Sequence, residues 1–262
     1  MSTQARFLQL NVRRSDLPEL RAARRWPNRR GELVRAIKQI APSAMGLQEC
    51  TKEQAEYIET QLGRDQWAYF GTHNVRVFID VTRWRLLNWW GFDLADSSMS
   101  IGPRHLVACH LQKIETGDTA LVCSTHLTPH STPGAQKSRV EQMHQIAGIL
   151  PTLPDHEKTI LMGDINDISR VGGVRGAAGE HGLKSLRSRL STTEMYNEAL
   201  STFNAWGKSP VKGEWLDEVF TSTAVKPYKA GVERTDTKRP LKVCASDHHW
   251  LRASVSFSGG LA

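Results

Sequence analysis

The stretch Ile160-Leu161-Met162-Gly163-Asp164-Ile165-Asn166-Asp167 decides how this chain is read. Four residues of apolar-to-small character predict a buried strand, and the strand stops where a carboxylate and an amide begin. On an extended backbone residues i and i+2 share a face, so Asp164 and Asn166 aim into one space. One can take a proton and the other can hold an oxygen. The same pair alone also fits a turn that bonds its own backbone. The choice rests on whether other polar groups reach the same place.

Working outward, four other predicted strand ends carry such groups. Asn11 follows Phe7–Leu10, Glu49 follows Met45–Leu47, His126 ends the run 121–125, and Asp217 follows Trp215-Leu216. Ser246-Asp247-His248-His249 precedes a closing apolar run at Trp250–Phe257. Each has a structural explanation as a cap, a surface acid or a satisfied imidazole. Together they are hard carboxylates, amides and imidazoles, the donors that suit a divalent metal and a phosphate.

Between these points the pattern alternates. Leu33, Ile37 and Ile40 give helical spacing over Asn28–Ala41, and Thr51 with Gln54 predicts a capping box for a helix ending near Gly63. Short strands follow at Trp67–Phe70, Val75–Asp80, Trp84–Leu87, Leu106–Ile114 and Ala120–His126, as in an antiparallel meander. A helix is expected over Ser138–Leu150 and strands at Leu216–Thr221 and near Lys226–Gly231. Five glycines in residues 172–182 form no phosphate-loop pattern and suggest a mobile loop beside Asp164 and Asn166. Neither an internal repeat nor a Pro/Ser linker interrupts the chain, so one α/β domain over 1–262 is expected, with its core at about 7–257.

Composition sets further bounds. The formal charge of +7 lies in residues 1–40, which hold ten Lys/Arg and three Asp/Glu, while the remainder is balanced. The arginines around Trp26 read either as a footprint for a polyanion, with Trp26 as a stacking surface, or as a solvated basic helix. Cys50, Cys109, Cys123 and Cys244 are scattered, without C-x-x-C spacing, which argues against a disulfide framework or a zinc cage. No apolar run is long enough to span a membrane, so no membrane insertion is expected. The N-terminus enters strand-like alternation without a signal-peptide pattern, and a cytoplasmic monomer is the expectation.

The ordered set Leu10-Asn11, Leu47-Gln48-Glu49, Ser124-Thr125-His126-Leu127, Gly163-Asp164-Ile165-Asn166, Leu216-Asp217 and Ser246-Asp247-His248 resembles the endonuclease/exonuclease/phosphatase superfamily, the deoxyribonuclease I-like fold. Arg139 and Gln142 resemble its Arg-x-x-Gln. The resemblance implies a four-layer α/β sandwich of two packed, mostly antiparallel sheets flanked by helices. It implies Glu49 as the principal Mg²⁺ ligand, with Asn11 and Asp247 close to the ion or its waters; Mn²⁺ could replace Mg²⁺. Asp164 resembles the residue that orients or deprotonates the attacking water, and Asn166 the one that holds the phosphate. His248, paired with Asp217, resembles the histidine that assists proton transfer, and His126 a second donor to a phosphate oxygen. Arg104 resembles a phosphate-contacting arginine, although a turn-end surface arginine reads equally well.

Two departures matter. Abasic-site endonucleases of the family carry Asn-x-Asp where this chain has Asn11-Val12-Arg13, and an arginine where this chain has Trp215. The expectation is a metal-dependent phosphodiesterase acting on nucleic acid, DNA before RNA. Lipid or small phosphate esters are the alternative substrates, and a catalytically silent nucleic-acid binder is the non-enzymatic one. Arg170, just before the glycine-rich segment, and Arg175, within it, are expected to reach substrate phosphates from the edge of the groove; a plain disordered surface loop reads at least as well.

Overall fold

The computed structural model describes residues 4–96, 103–169, 172–197, 200–206, 214–233 and 245–257. The elements run β1 Gln4–Asn11, α1 Trp26–Ile40, β2 Ala44–Gln48, α2 Lys52–Leu62, β3 Trp67–Thr72, β4 Val75–Asp80, β5 Trp84–Leu94, β6 Arg104–Lys113 and β7 Thr119–His126. They continue with α3 Pro133–Ile149, β8 Thr159–Asp164, α4 Gly173–Glu180, β9 Lys184–Ser185, α5 Leu186–Arg189, β10 Met195–Tyr196, β11 Asp217–Thr221, β12 Val225–Glu233 and β13 Trp250–Phe257. Two sheets form, ordered β10-β12-β13-β1-β2-β4-β3 and β5-β6-β7-β8-β11-β9. Their pairings are antiparallel except for the parallel pairs β1–β2, β10–β12 and β7–β8.

Strand alternation explains the layering. Phe7 of β1, Val77 of β4, Val122 of β7 and Met162 of β8 point into a core between the sheets. Their sequence neighbours point outward: Leu8, Leu10 and Phe78 pack against α1 and α2. Leu121, Cys123 and Leu161 pack against α3 and α4. Helix, sheet, sheet, helix is the outcome, with the central strands β2, β4, β7 and β8 buried on both faces. Met162 reaches across because Gly46 faces it: a Cβ on Gly46 would lie 2.7 Å from the Met162 Cβ.

Helix α1 begins at Trp26, with Pro27 in its first turn, and ends at Ala41 in the left-handed region, φ 49°. Thr51 and Gln54 form both halves of the capping box at the start of α2. Four local expectations change. The strand expected at 84–87 runs to Leu94; it is an edge strand with a bulge between Leu86 and Asn88, and its exposed face hides the alternation. The meander divides, since β3 and β4 pair in one sheet while β5, β6 and β7 pair in the other. Helix α3 starts at Pro133, capped by Thr132. The glycine-rich segment holds helix α4 rather than a loop, because Asp167 Oδ2 accepts a hydrogen bond from Val174 N (2.8 Å) at the helix start.

The thiols of Cys50, Cys109 and Cys123 are free and buried; Cys244 lies outside the described residues. Burial pushes Cys50 up to about 12 and raises the other two well above the ordinary thiol range, so all three are protonated core groups. Among the described residues no helix is long and apolar enough to cross a membrane.

Candidate active site

The inter-sheet layer changes character along its length. At the carboxyl ends of β1, β2, β7 and β8 its inward positions become Gln9, Asn11, Gln48, Ser124, His126 and Asp164, all polar. A buried network spans the gap. Gln9 Nε2 donates to Gln48 Oε1 (2.6 Å) and to Asp217 Oδ1 (2.9 Å), and Gln48 Nε2 donates to Ser124 Oγ (3.1 Å). These bonds tie the two sheets together and fix one oxygen of Asp217. Its other oxygen accepts from His248 Nδ1 at 2.8 Å. Thr202 Oγ1 accepts from the backbone N–H groups of Leu216 and Asp217, holding the carboxylate at the strand start.

A cavity of about 640 Å³ opens above this layer. It gathers Glu49, His126, Asp164, Asn166, Asp247 and His248 from separate parts of the chain, with Arg13, Arg14 and Arg104 also on its wall. Asp217 lies behind His248, wholly buried. Asn11 Nδ2 donates to Glu49 Oε1 (3.2 Å) and Asp164 Oδ2 (3.0 Å), holding the two carboxylates to one another. Its own oxygen accepts from Arg13 N (2.9 Å). Asp164 Oδ1 accepts from Asn166 N, and its Oδ2 lies 3.6 Å from His126 Nε2 and 3.8 Å from His248 Nε2. The asparagine side chain itself donates to Leu127 O (3.1 Å). Arg13, Glu49, His73 and Asn166, all on the cavity wall, have positive φ (55°, 53°, 49° and 50°). Non-glycine residues held there store strain that the surrounding bonds must offset.

Electrostatics divides the groups. Burial, the charge of Asp217 and that of Glu49 raise Asp164 to about 7, against the opposing pull of His248 and Asn11. Burial opposes charge on His248, yet Asp217, Asp164 and Asp247 together raise its proton affinity to about 10. His126 moves the other way: burial and Arg104 lower it to about 4, so its ring is neutral. Burial acts against Glu49, but His126, charged only at the low pH where both groups titrate, holds it below the usual range together with Arg13 and the Asn11 amide. Burial and Glu49 raise Asp247.

Three carboxylates, Glu49, Asp164 and Asp247, thus face one cavity, and two of them are strained toward protonation by burial and like charge. A dication with oxygen ligands would relieve that strain, so the donor set fits a hard divalent ion. A second grouping, Asp164, Asp217 and His248, brings one ligand atom each within 4.8 Å of the others. In that grouping Asp217 is already committed to His248 and Gln9.

Sequence reasoning missed several participants. Arg13 sits with Nε 3.8 Å from Asp247 Oδ2 and Nη1 3.9 Å from Glu49 Oε2, where only its departure from Asn-x-Asp marked it. Phe203 packs edge-on against His248 at 5.2 Å, and no motif signals it. Gln9 looked like an ordinary polar member of an alternating strand. Arg139 and Gln142, already read from the sequence as an Arg-x-x-Gln pair, lie one layer back: Arg139 Nη1 donates to Thr128 O and His130 O, and Gln142 bonds Thr128 on both its N–H and its hydroxyl. They brace the loop that carries the chain out of His126.

Two placements differ from expectation. Arg175 does not line the cavity; Nε pairs with Glu218 Oε2 (2.9 Å), and Nη1 donates to Asp167 O and Ser169 O. Its side chain is only 7% exposed because the short helix α4 turns it inward, where it fixes the loop after Asn166. Trp26 is no stacking surface: it is buried against Tyr57 and beneath the Arg29 guanidinium. Arg29 itself is buried, donating to Val12 O, Ala245 O, Arg13 O and Arg24 O. Arg170 lies outside the described residues.

The chain and its fold match known proteins. The Endonuclease/Exonuclease/phosphatase family profile covers residues 8–248. Comparison with curated proteins gives no match. Among solved structures, the chain resembles the Bacteroides thetaiotaomicron mannosyl-6-phosphatase with TM-score 0.83 and 18% identity, over 97% of this chain and 100% of that one. It resembles the human nocturnin catalytic domain with bound sulfate at TM-score 0.76 and 20% identity, over 98% and 96%. D. rerio TDP2 complexed with a single-strand DNA product gives TM-score 0.73 and 15% identity, over 97% and 99%. The chain belongs to the endonuclease/exonuclease/phosphatase family, whose members are metal-dependent phosphoester hydrolases.

Proposed function

We propose that the chain hydrolyses phosphodiester bonds of nucleic acid, DNA in preference to RNA, with Mg²⁺ as its ion. The observation that carries this reading is the cavity's mixed chemistry. Acid–base groups share its wall with Arg13, Arg14 and Arg104, and Arg104 Nε has no acceptor among the described residues. Arg14 and Leu17 also border a second groove of about 500 Å³ that runs to Arg25 and Pro27. A phosphate-bearing strand longer than one unit has a basic path to follow.

Glu49 and Asp247 would hold the ion, with Asn11 keeping Glu49 and Asp164 in register. Such an ion neutralises charge on phosphate oxygens and lowers the cost of attack by an anion. Asp164, buried and held by the Asn11 amide and Asn166 N, is placed to orient the attacking water and accept its proton. Asn166 orients the phosphate. His248, protonated against Asp217, faces the oxygens that gain charge, and neutral His126 adds one N–H.

A second reading, a small or lipid phosphate ester, is favoured by one observation: the expected polyanion platform is partly consumed internally, with Trp26 and Arg29 buried. A cavity of 640 Å³ also suits a small ligand. The fold serves both classes in the relatives above, a mannosyl-6-phosphatase and a protein solved with a DNA product.

The test is cleavage of supercoiled plasmid and end-labelled single strands with Mg²⁺, with EDTA, and by Glu49→Ala and His248→Ala chains. Metal-dependent cutting that falls by roughly 10²-fold or more in each variant is expected. Hydrolysis of sugar phosphates or lipid headgroups without any cutting of polynucleotide would remove the nucleic-acid part.

A further inference from the structure

The outer face of the α3/α4 layer carries His144, Glu180 and His181, all exposed and on the layer opposite α1 and α2. Helix α3 presents His144 to solvent while its neighbours Met143 and Ile146 pack inward with Val174, Ala177 and Ala178 of α4. Glu180 is the last residue of α4, and His181 follows it as the cap, its N–H donating to Ala178 O. Packing of the two helices therefore delivers side chains from distant sequence positions to one spot.

The imidazoles are hydrogen-bonded to one another, His144 Nδ1 to His181 Nε2 at 3.3 Å with ring planes at 77°, a contact whose shared proton an ion would displace. Two nitrogens on one tetrahedral zinc, each about 2.0–2.1 Å from the ion, stand about 3.3–3.4 Å apart. One carboxylate oxygen of Glu180 completes a set whose ligand atoms lie within 4.8 Å of one another. The other two-histidine cluster, His73 and His105 with Asp93, also brings its ligand atoms within 4.8 Å, but its rings are not disposed about one ion. His73 and His105 stack 3.9 Å apart with planes only 10° from parallel, and an ion in the plane of one ring cannot lie in the plane of the other.

We propose that His144, Glu180 and His181 form a zinc-class transition-metal site that clasps α3 to the carboxyl-terminal end of α4, with water as the fourth ligand. Two imidazoles and one carboxylate select this class against Mg²⁺, which takes oxygen ligands and keeps its waters. The carbonyl end of a helix also favours a cation. The site is distinct in chemistry from the hard-oxygen catalytic set. Its consequence is mechanical: Asp167 caps the front of α4 just after Asn166, and the ion would secure the back.

Zinc titration of the chelator-treated full chain carrying Glu49→Gln, which weakens the catalytic ion site, tests this. One equivalent of Zn²⁺ should bind, Co²⁺ should give the intense visible bands of tetrahedral coordination, and Zn²⁺ should raise the melting temperature. His144→Ala and His181→Ala should each weaken that binding by at least about tenfold and abolish the thermal shift. In an otherwise native chain freed of zinc, His144→Ala should leave Mg²⁺-supported turnover unchanged. No uptake of micromolar Zn²⁺, or equal uptake in the His144→Ala/His181→Ala chain, would overturn the proposal. A Co²⁺ complex with only the weak bands of octahedral coordination would also overturn it, whatever the folding of the variants.

Discussion

His248 shows how single residues acquire their chemistry from neighbours. Alone, a buried imidazole loses its charge; here Asp217 at 2.8 Å, backed by Asp164 and Asp247, more than reverses that penalty. Because the folded value of about 10 exceeds the ordinary 6.5, the ring stays protonated through neutrality. The stability this contributes is complete below the unfolded value and is lost as pH rises through the folded one. Asp217→Asn keeps the shape but removes the largest source of that shift. Turnover at pH 7–8 should fall roughly 10²–10⁴-fold, and the alkaline limb of the pH–rate profile should move to lower pH. An unmoved alkaline limb would show that another group controls it. The members His126, Asp164, Asp217 and His248 were legible as polar groups at strand ends. Arg13 was legible only as a departure from a motif, because its relation to Glu49 and Asp247 depends on a left-handed backbone no pattern announces.

Helix α4 is the element where local preference and tertiary setting conflict most. Glycines at 173, 176 and 179 weaken a helix by raising the entropy it must lose, which is why the segment reads as a loop. Packing of Val174, Ala177 and Ala178 and the Asp167 cap hold it as a helix. The glycines are not equivalent. A Cβ at Gly176 or Gly179 meets nothing within 4 Å, whereas Gly173 has φ 51° and its Cβ would lie 2.5 Å from Asp167 Oδ2. Gly176→Ala and Gly179→Ala should each stabilise the fold by about 0.5–1 kcal/mol, and Gly173→Ala should destabilise it. Denaturant midpoints of the three variants provide the comparison; a loss of stability from both outer substitutions would argue against the helix. By contrast α2 was legible end to end, since the Thr51/Gln54 capping box and Gly63 act within a few residues.

At the scale of the molecule, the site exists because two sheets approach closely and end in polar groups that bond across the gap. Gly46 permits that approach opposite Met162, and the Gln9–Gln48–Ser124–Asp217 network fixes it. Gly46→Ala forces the sheets or Met162 to shift and should cost about 1–3 kcal/mol, with turnover reduced through misplacement of Asp217. Thermal unfolding together with kcat measures both; an unchanged melting temperature would mean the gap has slack. The sequence by itself determined the polar strand ends that carry the site, the capped helix α2, the family resemblance and hence the two-sheet fold, because alternation and capping are local and repeat in register with the backbone. Only the tertiary structure decided that the meander splits between sheets, that Arg175 and Trp26 turn inward, and that Arg13 stands between Glu49 and Asp247. Those outcomes depend on competition for partners among residues far apart in the chain. The physical reason is that burial and pairing energies are properties of the assembled layers rather than of any one segment.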